Sequence, residues 1–150
     1  MKRPTSVTVF GILNLVFAVL GVAGLAGTMA LFAPSAASSH NPLVPIIQNH
    51  PVYAAWMQLT IALGLLGTAA QFLGGMGLLK VRPWGRQLSM GFAIYALIMV
   101  VAGSGMNLIF LGGGLGLILG GVVGLVYPAL LLGFMRRPNV IAAFAAPAKK

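Results

Sequence analysis

The chain of 150 residues contains no aspartate, no glutamate and no cysteine. Without side-chain carboxylates, carboxylate general acid–base chemistry is excluded, and Mg²⁺ and Ca²⁺ lose their usual ligands. Without cysteine there is no disulfide framework, thiolate nucleophile, iron–sulfur cluster or Cys-based zinc site. His40 and His50 are the two histidines, and no third ligand of the usual kind accompanies them. Ser35, Ser38 and Ser39 stand near His40, but no acidic residue exists to orient the imidazole in a triad. No catalytic, cofactor-binding or metal residue is therefore expected, and no enzyme. Charge of any kind is scarce: 6% of residues, against about a quarter in a soluble domain.

What is present is apolar. Hydrophobic residues make up 59% of the chain, and the mean hydropathy is +1.02. A surface that must face water cannot be built from this composition, so the class is an integral membrane protein. The nine cations form four small groups: Lys2 and Arg3, then Lys80, Arg82 and Arg86, then Arg136 and Arg137, then Lys149 and Lys150. Phosphate recognition wants clustered cations. Twos and threes at the ends of apolar runs are topology signals instead, and no nucleic-acid partner is expected.

The first uncharged run, about 7–32, would be roughly 39 Å long as a helix. A signal-peptide core is about 7–15 residues, so this run is expected to be a retained span. The segment 34–51 is punctuated by Pro34, Pro42, Pro45 and Pro51 and reads as a loop, with Leu43 to Gln48 as a segment able to dip into the interface. A second span is expected at about 53–79, with Tyr53 and Trp56 placed as an aromatic belt. The basic turn 80–86 follows, broken at Pro83.

From Gln87 to Met135 there is again no charge, over a length of roughly 74 Å as one helix. Two spans are needed, expected at about 88–102 and 112–135. Gly103-Ser104-Gly105-Met106-Asn107 is the favoured return, and Gly112-Gly113-Gly114 is the second candidate. Arg136-Arg137-Pro138 is expected to stop the last span. In the tail, 136–150, Val140, Ile141 and Phe144 are expected to lie on the membrane, with Lys149 and Lys150 beside anionic lipid.

Cytoplasmic segments carry the excess of Lys and Arg. Four spans, with both termini and the 80–86 turn inside and the 34–51 loop outside, satisfy this positive-inside rule at every cation. The expected fold is all-α: a single transmembrane domain, a four-helix bundle of two helical hairpins, with both termini cytoplasmic. Arg3-Pro4, Arg82-Pro83 and Arg137-Pro138 recur at the inner boundaries. Any two hairpins with cytoplasmic ends would share that plan, so no duplication is inferred.

Small residues hold helices together where lipid removes the hydrophobic drive. Gly112, Gly116, Gly120 and Gly124 form a glycine zipper and are the expected helix-packing residues. Their groove drifts about 40° per step around a helix, which suits a crossed partner. That partner is expected within the chain, on Gly64, Gly67 and Thr68 or on Gly21 and Gly24, ahead of another copy or a different membrane protein. The intramembrane polar residues are Asn14, Thr28, Gln58, Thr60, Thr68, Gln71, Ser89, Tyr95 and Tyr127. Asn14 and Gln71 are the most costly to turn toward lipid, and a shared interhelical hydrogen bond is expected before a solute path. Asn14, Gln58, Gln71 and Tyr95 would line such a path. Lys80, Arg82, Arg86, Arg136 and Arg137 are candidate contacts for anionic lipid headgroups. Pro128, inside the last span, is a kink candidate.

The opening Arg3-Pro4-Thr5-Ser6-Val7-Thr8-Val9-Phe10-Gly11-Ile12-Leu13-Asn14 resembles that of small bacterial membrane proteins. The same holds for Gly77-Leu78-Leu79-Lys80-Val81-Arg82-Pro83-Trp84-Gly85-Arg86 with Tyr95, and for Tyr127-Pro128 ahead of Arg137-Pro138-Asn139. The resemblance implies a four-span protein of the bacterial inner membrane and brings no activity or functional residues. The expected role is non-enzymatic, exercised through helix packing, partners or lipid. The alternative is a small channel or facilitator for a neutral solute.

Overall fold

The computed structural model describes residues 4–33, 41–112 and 114–145. Lys2, Arg3, Ser35, Ser38, Ser39, His40, Gly113, Lys149 and Lys150 lie outside them. The described residues form six helices and no strand: α1 (Thr5–Ala30), α2 (Leu43–Asn49), α3 (Pro51–Leu79), α4 (Pro83–Leu111), α5 (Leu115–Met135) and α6 (Pro138–Ala145). Four of them, α1, α3, α4 and α5, are long and apolar enough to cross a membrane. Helix is the form that satisfies every backbone polar group within one segment, as an apolar medium demands.

Prolines set the helix starts. Pro4 is the N-cap of α1, and Pro51 and Pro83 occupy the first turns of α3 and α4. A first-turn amide has no partner in its own helix, so the missing proline N–H costs nothing there. Each recurrent Arg-Pro pair thus opens a helix. Pro138 does not merely stop α5; it begins α6.

The return between the last two spans differs from the favoured expectation. Gly103 to Asn107 lies inside α4, which continues to Leu111, and the chain turns at the second candidate. Gly112 caps α4 in the left-handed conformation at φ 70°. Glycine takes that conformation without steric penalty. Gly103 and Gly105 are simply absorbed, since a helix in lipid has no water to compete for its backbone bonds.

The α3–α4 turn uses the same device with a less suitable residue. The Arg82 amide donates to the Gly77 carbonyl at 2.9 Å and the Val81 amide to the Leu78 carbonyl at 3.0 Å. These are the paired bonds of a Schellman motif. Its left-handed position is held by Val81 at φ 51°, where a β-branched side chain is strained.

Neighbouring helices in sequence are neighbours in space: α1 packs on α3, α3 on α4 and α4 on α5. The closest approach is made by glycine. A Cβ on Gly77 would overlap the Gly85 Cα, and one on Gly75 would lie 3.0 Å from the Gly11 carbonyl oxygen. The start of α1, the end of α3, the start of α4 and the end of α5 therefore gather at one end, which also holds Lys80, Arg82, Arg86, Arg136 and Arg137.

Burial is concentrated in that basic half. Val7, Phe10, Leu78, Leu131 and Met135 form its core. Val140 and Phe144 of α6 are buried in the same cluster, while Ile141 is exposed. The apolar face of α6 thus covers the ends of the long helices instead of lying on lipid. Away from this half the long helices are poorly covered. Beyond Ala18 on α1, Ala93 on α4 and Pro128 on α5, no described residue of those three helices is buried. On α3, Tyr53 is the exception, with its ring 5.2 Å from Phe110 of α4, and α2 packs on α3 with Val44 and Ile47 buried.

Candidate functional site

At the upper edge of the buried half, the four long helices each contribute one polar side chain. Asn14 of α1 is fully buried, as is Ser89 of α4. The Asn14 Nδ2 donates to Ser89 Oγ at 3.2 Å. The Tyr127 hydroxyl of α5 donates to Asn14 Oδ1 at 2.6 Å. Gln71 of α3, also buried, lies beside the Tyr127 hydroxyl. The tyrosine donor fixes the Asn14 amide, because only its oxygen can accept.

Small residues make room for this cluster. A Cβ on Gly75 would come within 2.9 Å of the Asn14 Cβ, and one on Gly74 within 2.8 Å of Ser89 Oγ. Aromatic rings seal it toward α5: Phe17 meets the Tyr127 ring edge-on at 4.6 Å, and Phe10 lies 5.2 Å from Phe134. Among the described residues no buried side-chain nitrogen or oxygen lacks a partner. A closed network of this kind joins helices, at roughly 0.6–2 kcal/mol per interhelical bond in a membrane.

The expected Asn14–Gln71 bond is not the one formed among the described residues: Asn14 bonds Tyr127 and Ser89, and Gln71 lies beside the Tyr127 hydroxyl. Tyr127 and Ser89 were both in the intramembrane polar set, but neither was singled out. Depth relates three of the four: Asn14, Gln71 and Tyr127 stand about 13–17 Å of helix from the nearest flanking cation, at about 1.5 Å per residue, whereas Ser89 stands one turn from Arg86. The other two lining candidates are elsewhere. The Tyr95 hydroxyl donates to the Leu63 carbonyl at 2.8 Å, with its ring seated over Gly67. Gln58 is exposed at the edge of a groove between α1 and α3. Near the opposite end, Tyr53 donates to Asn107 Oδ1 at 3.0 Å and tethers α3 to α4.

The glycine series is divided in function. Gly112 is the helix cap, and Gly116 and Gly120 have nothing within 4 Å of a Cβ. Gly124 faces Val100 of α4 at an ordinary 3.4 Å, and the adjacent Gly121 meets Ser104 Oγ at 2.7 Å. Of the expected internal partners, Gly21 meets Thr68, while Gly64 meets Leu25, Gly67 meets Tyr95 and Gly24 meets nothing within 4 Å among the described residues. Among the described residues, nothing outside its own helix and chain neighbours would meet a Cβ on Gly112, Gly116 or Gly120 within 4 Å.

Of the candidate lipid contacts, Lys80, Arg82, Arg136 and Arg137 are exposed. Arg137 lies 4.0 Å over the Phe134 ring, a cation–π arrangement. Arg86 is half-buried, and its Nε donates to the Met135 carbonyl at 2.9 Å. It satisfies a carbonyl at the open end of α5 and complements the helix dipole there. No cluster of three metal-ligating side chains exists among the described residues. No known protein family, no curated protein and no solved structure matches this chain.

Proposed function

We propose that this chain is a non-enzymatic, multi-pass protein of a bacterial inner membrane, oriented with its basic end in the cytoplasm. It belongs with small four-span membrane proteins and acts by holding a lipid or another membrane protein against its helices. The observation that carries this reading is the uneven packing. The basic half is sealed, whereas in the other half, among the described residues, α1 packs mainly on α3 and α5 mainly on α4. Gly24 and Gly27 on α1, with Gly116 and Gly120 on α5, present open backbone there. Such faces suit close approach by another helix or a lipid chain.

The channel reading draws less support. A path along the axis would have to cross the cluster of Val7, Phe10, Leu78, Leu131 and Met135. Of the residues that would line it, Asn14 and Tyr95 are hydrogen-bonded inside the protein and Gln58 lies out at the edge of the α1–α3 groove. Stopped-flow swelling of liposomes in glycerol or urea tests the choice. Liposomes holding the purified chain should swell at the rate of empty ones, and Asn14→Leu should change nothing. Faster swelling that Asn14→Leu abolishes would replace this proposal with the channel.

A further inference from the structure

We propose that the outer groove between α1 and α3 holds one acyl chain of an anionic phospholipid whose phosphate sits at Lys80 and Arg82. This deepens the lipid-holding reading above and rests on it. The groove is formed where small side chains, Ala18, Ala62 and Ala69, lie between taller walls such as Val19, Leu65 and Phe72. Two adjoining depressions share Leu65, and the one nearer the basic end has a volume of about 400 Å³. Its lining is almost wholly apolar, which fits a hydrocarbon chain and nothing that needs hydrogen bonds.

Helix geometry ties this groove to the cations. Ala62 and Ala69 precede Lys80 by about five and about three whole turns at 3.6 residues per turn, so they lie on the side of α3 where the helix leaves off at its C-cap, Lys80. Ala69 lies about 16 Å along the helix from Lys80, close to one leaflet of a hydrocarbon core roughly 30 Å thick. A phospholipid of the leaflet at the basic end would thus lay its chain in the groove with its phosphate at the turn. The charge complementarity is one-sided: Lys80 and Arg82 are exposed, and the chain has no aspartate or glutamate to neutralise them. A phosphodiester anion supplies the missing counter-charge, at about 1 kcal/mol per cation near a surface.

The test is native mass spectrometry of the full chain released from nanodiscs of equal dioleoyl phosphatidylglycerol and dioleoyl phosphatidylcholine. The wild type should retain one phosphatidylglycerol, at least fivefold over phosphatidylcholine. Lys80→Gln with Arg82→Gln should erase that headgroup preference. Ala69→Leu, at an exposed position, should fill the groove and lose the retained lipid with the cations intact. Arg136→Gln with Arg137→Gln should retain it. Undiminished phosphatidylglycerol in the Lys80/Arg82 variant, or in Ala69→Leu, overturns the proposal. That result leaves the swelling assay untouched, so the two readings fail separately.

Discussion

The Tyr127 hydroxyl donates to the Asn14 side-chain oxygen across 2.6 Å and joins the first long helix to the last. Beside it the rings of Phe10 and Phe17 meet Tyr127 and Phe134, and Val7 shares the core with Leu131 and Met135. Tyr127→Phe should therefore cost about 0.6–2 kcal/mol, the range for an interhelical bond in a membrane. Asn14→Leu should cost more, because it also strips Ser89 of its donor and must fit beside Gly75. In a double-mutant cycle read by detergent unfolding, the two losses should be strongly non-additive. Simple additivity would show that the bond contributes nothing.

The glycines separate into two groups with opposite expected responses. Gly77→Ala or Gly85→Ala places a methyl group against the facing backbone. Backbone cannot rotate away as a side chain can, so a loss of about 1–3 kcal/mol or more is expected. Gly116→Ala and Gly120→Ala meet open space and should cost nothing, since alanine is the better helix former. Thermal unfolding of the four variants in one detergent checks this. A destabilised Gly120→Ala would mean that a second copy covers that face, and its melting point would then depend on protein concentration.

Val81 occupies the left-handed position of the α3–α4 turn at φ 51°. That conformation costs an L-residue about 1–2 kcal/mol, and glycine escapes it. Val81→Gly should raise the stability of the chain by about 1 kcal/mol, once glycine's freer unfolded state is subtracted. A melting temperature that falls would mean that the Val81 side chain, half-buried beside the core, contributes more than its backbone costs.

Much of this architecture was legible in the sequence, because the constraint that dominates it is one-dimensional. Uncharged runs of sufficient length must be helices in lipid, and the cations must end them. The α4–α5 return was misread because Gly103-Ser104-Gly105 carries the composition of a turn in water. Inside a membrane, a helix tolerates it, and Gly112 was needed where φ is positive. Asn14 and Gln71 were legible as costly groups, but their partners depended on depth and rotation of all four helices. The role of Arg86 was hidden for another reason. A cation beside Trp84 at a membrane boundary looks like a topology signal, and only the fold brings the end of α5 within its reach.

Arg86 donates from Nε to the Met135 carbonyl, a bond that lysine cannot copy with the same geometry. Arg86→Lys keeps the charge and should still lose about 1 kcal/mol, while Arg82→Lys, at an exposed position, should lose nothing. Equal melting points for the two variants would reduce Arg86 to one more cation of the basic end.

The absence of cysteine makes the orientation directly measurable, since any introduced thiol is the only one. Gln48→Cys sits exposed in α2 and Asn139→Cys exposed at the start of α6, at opposite ends of the long helices. In intact spheroplasts, a membrane-impermeant maleimide should label Gln48→Cys at once. Asn139→Cys should react only after permeabilisation if, as proposed, the five described cations gathered at its end place that end in the cytoplasm. Neither position carries charge, so the substitutions leave the topology signal unchanged. The opposite labelling order would mean that the charge distribution does not govern how this chain inserts. The phosphate contact proposed at Lys80 and Arg82 would then face the other leaflet.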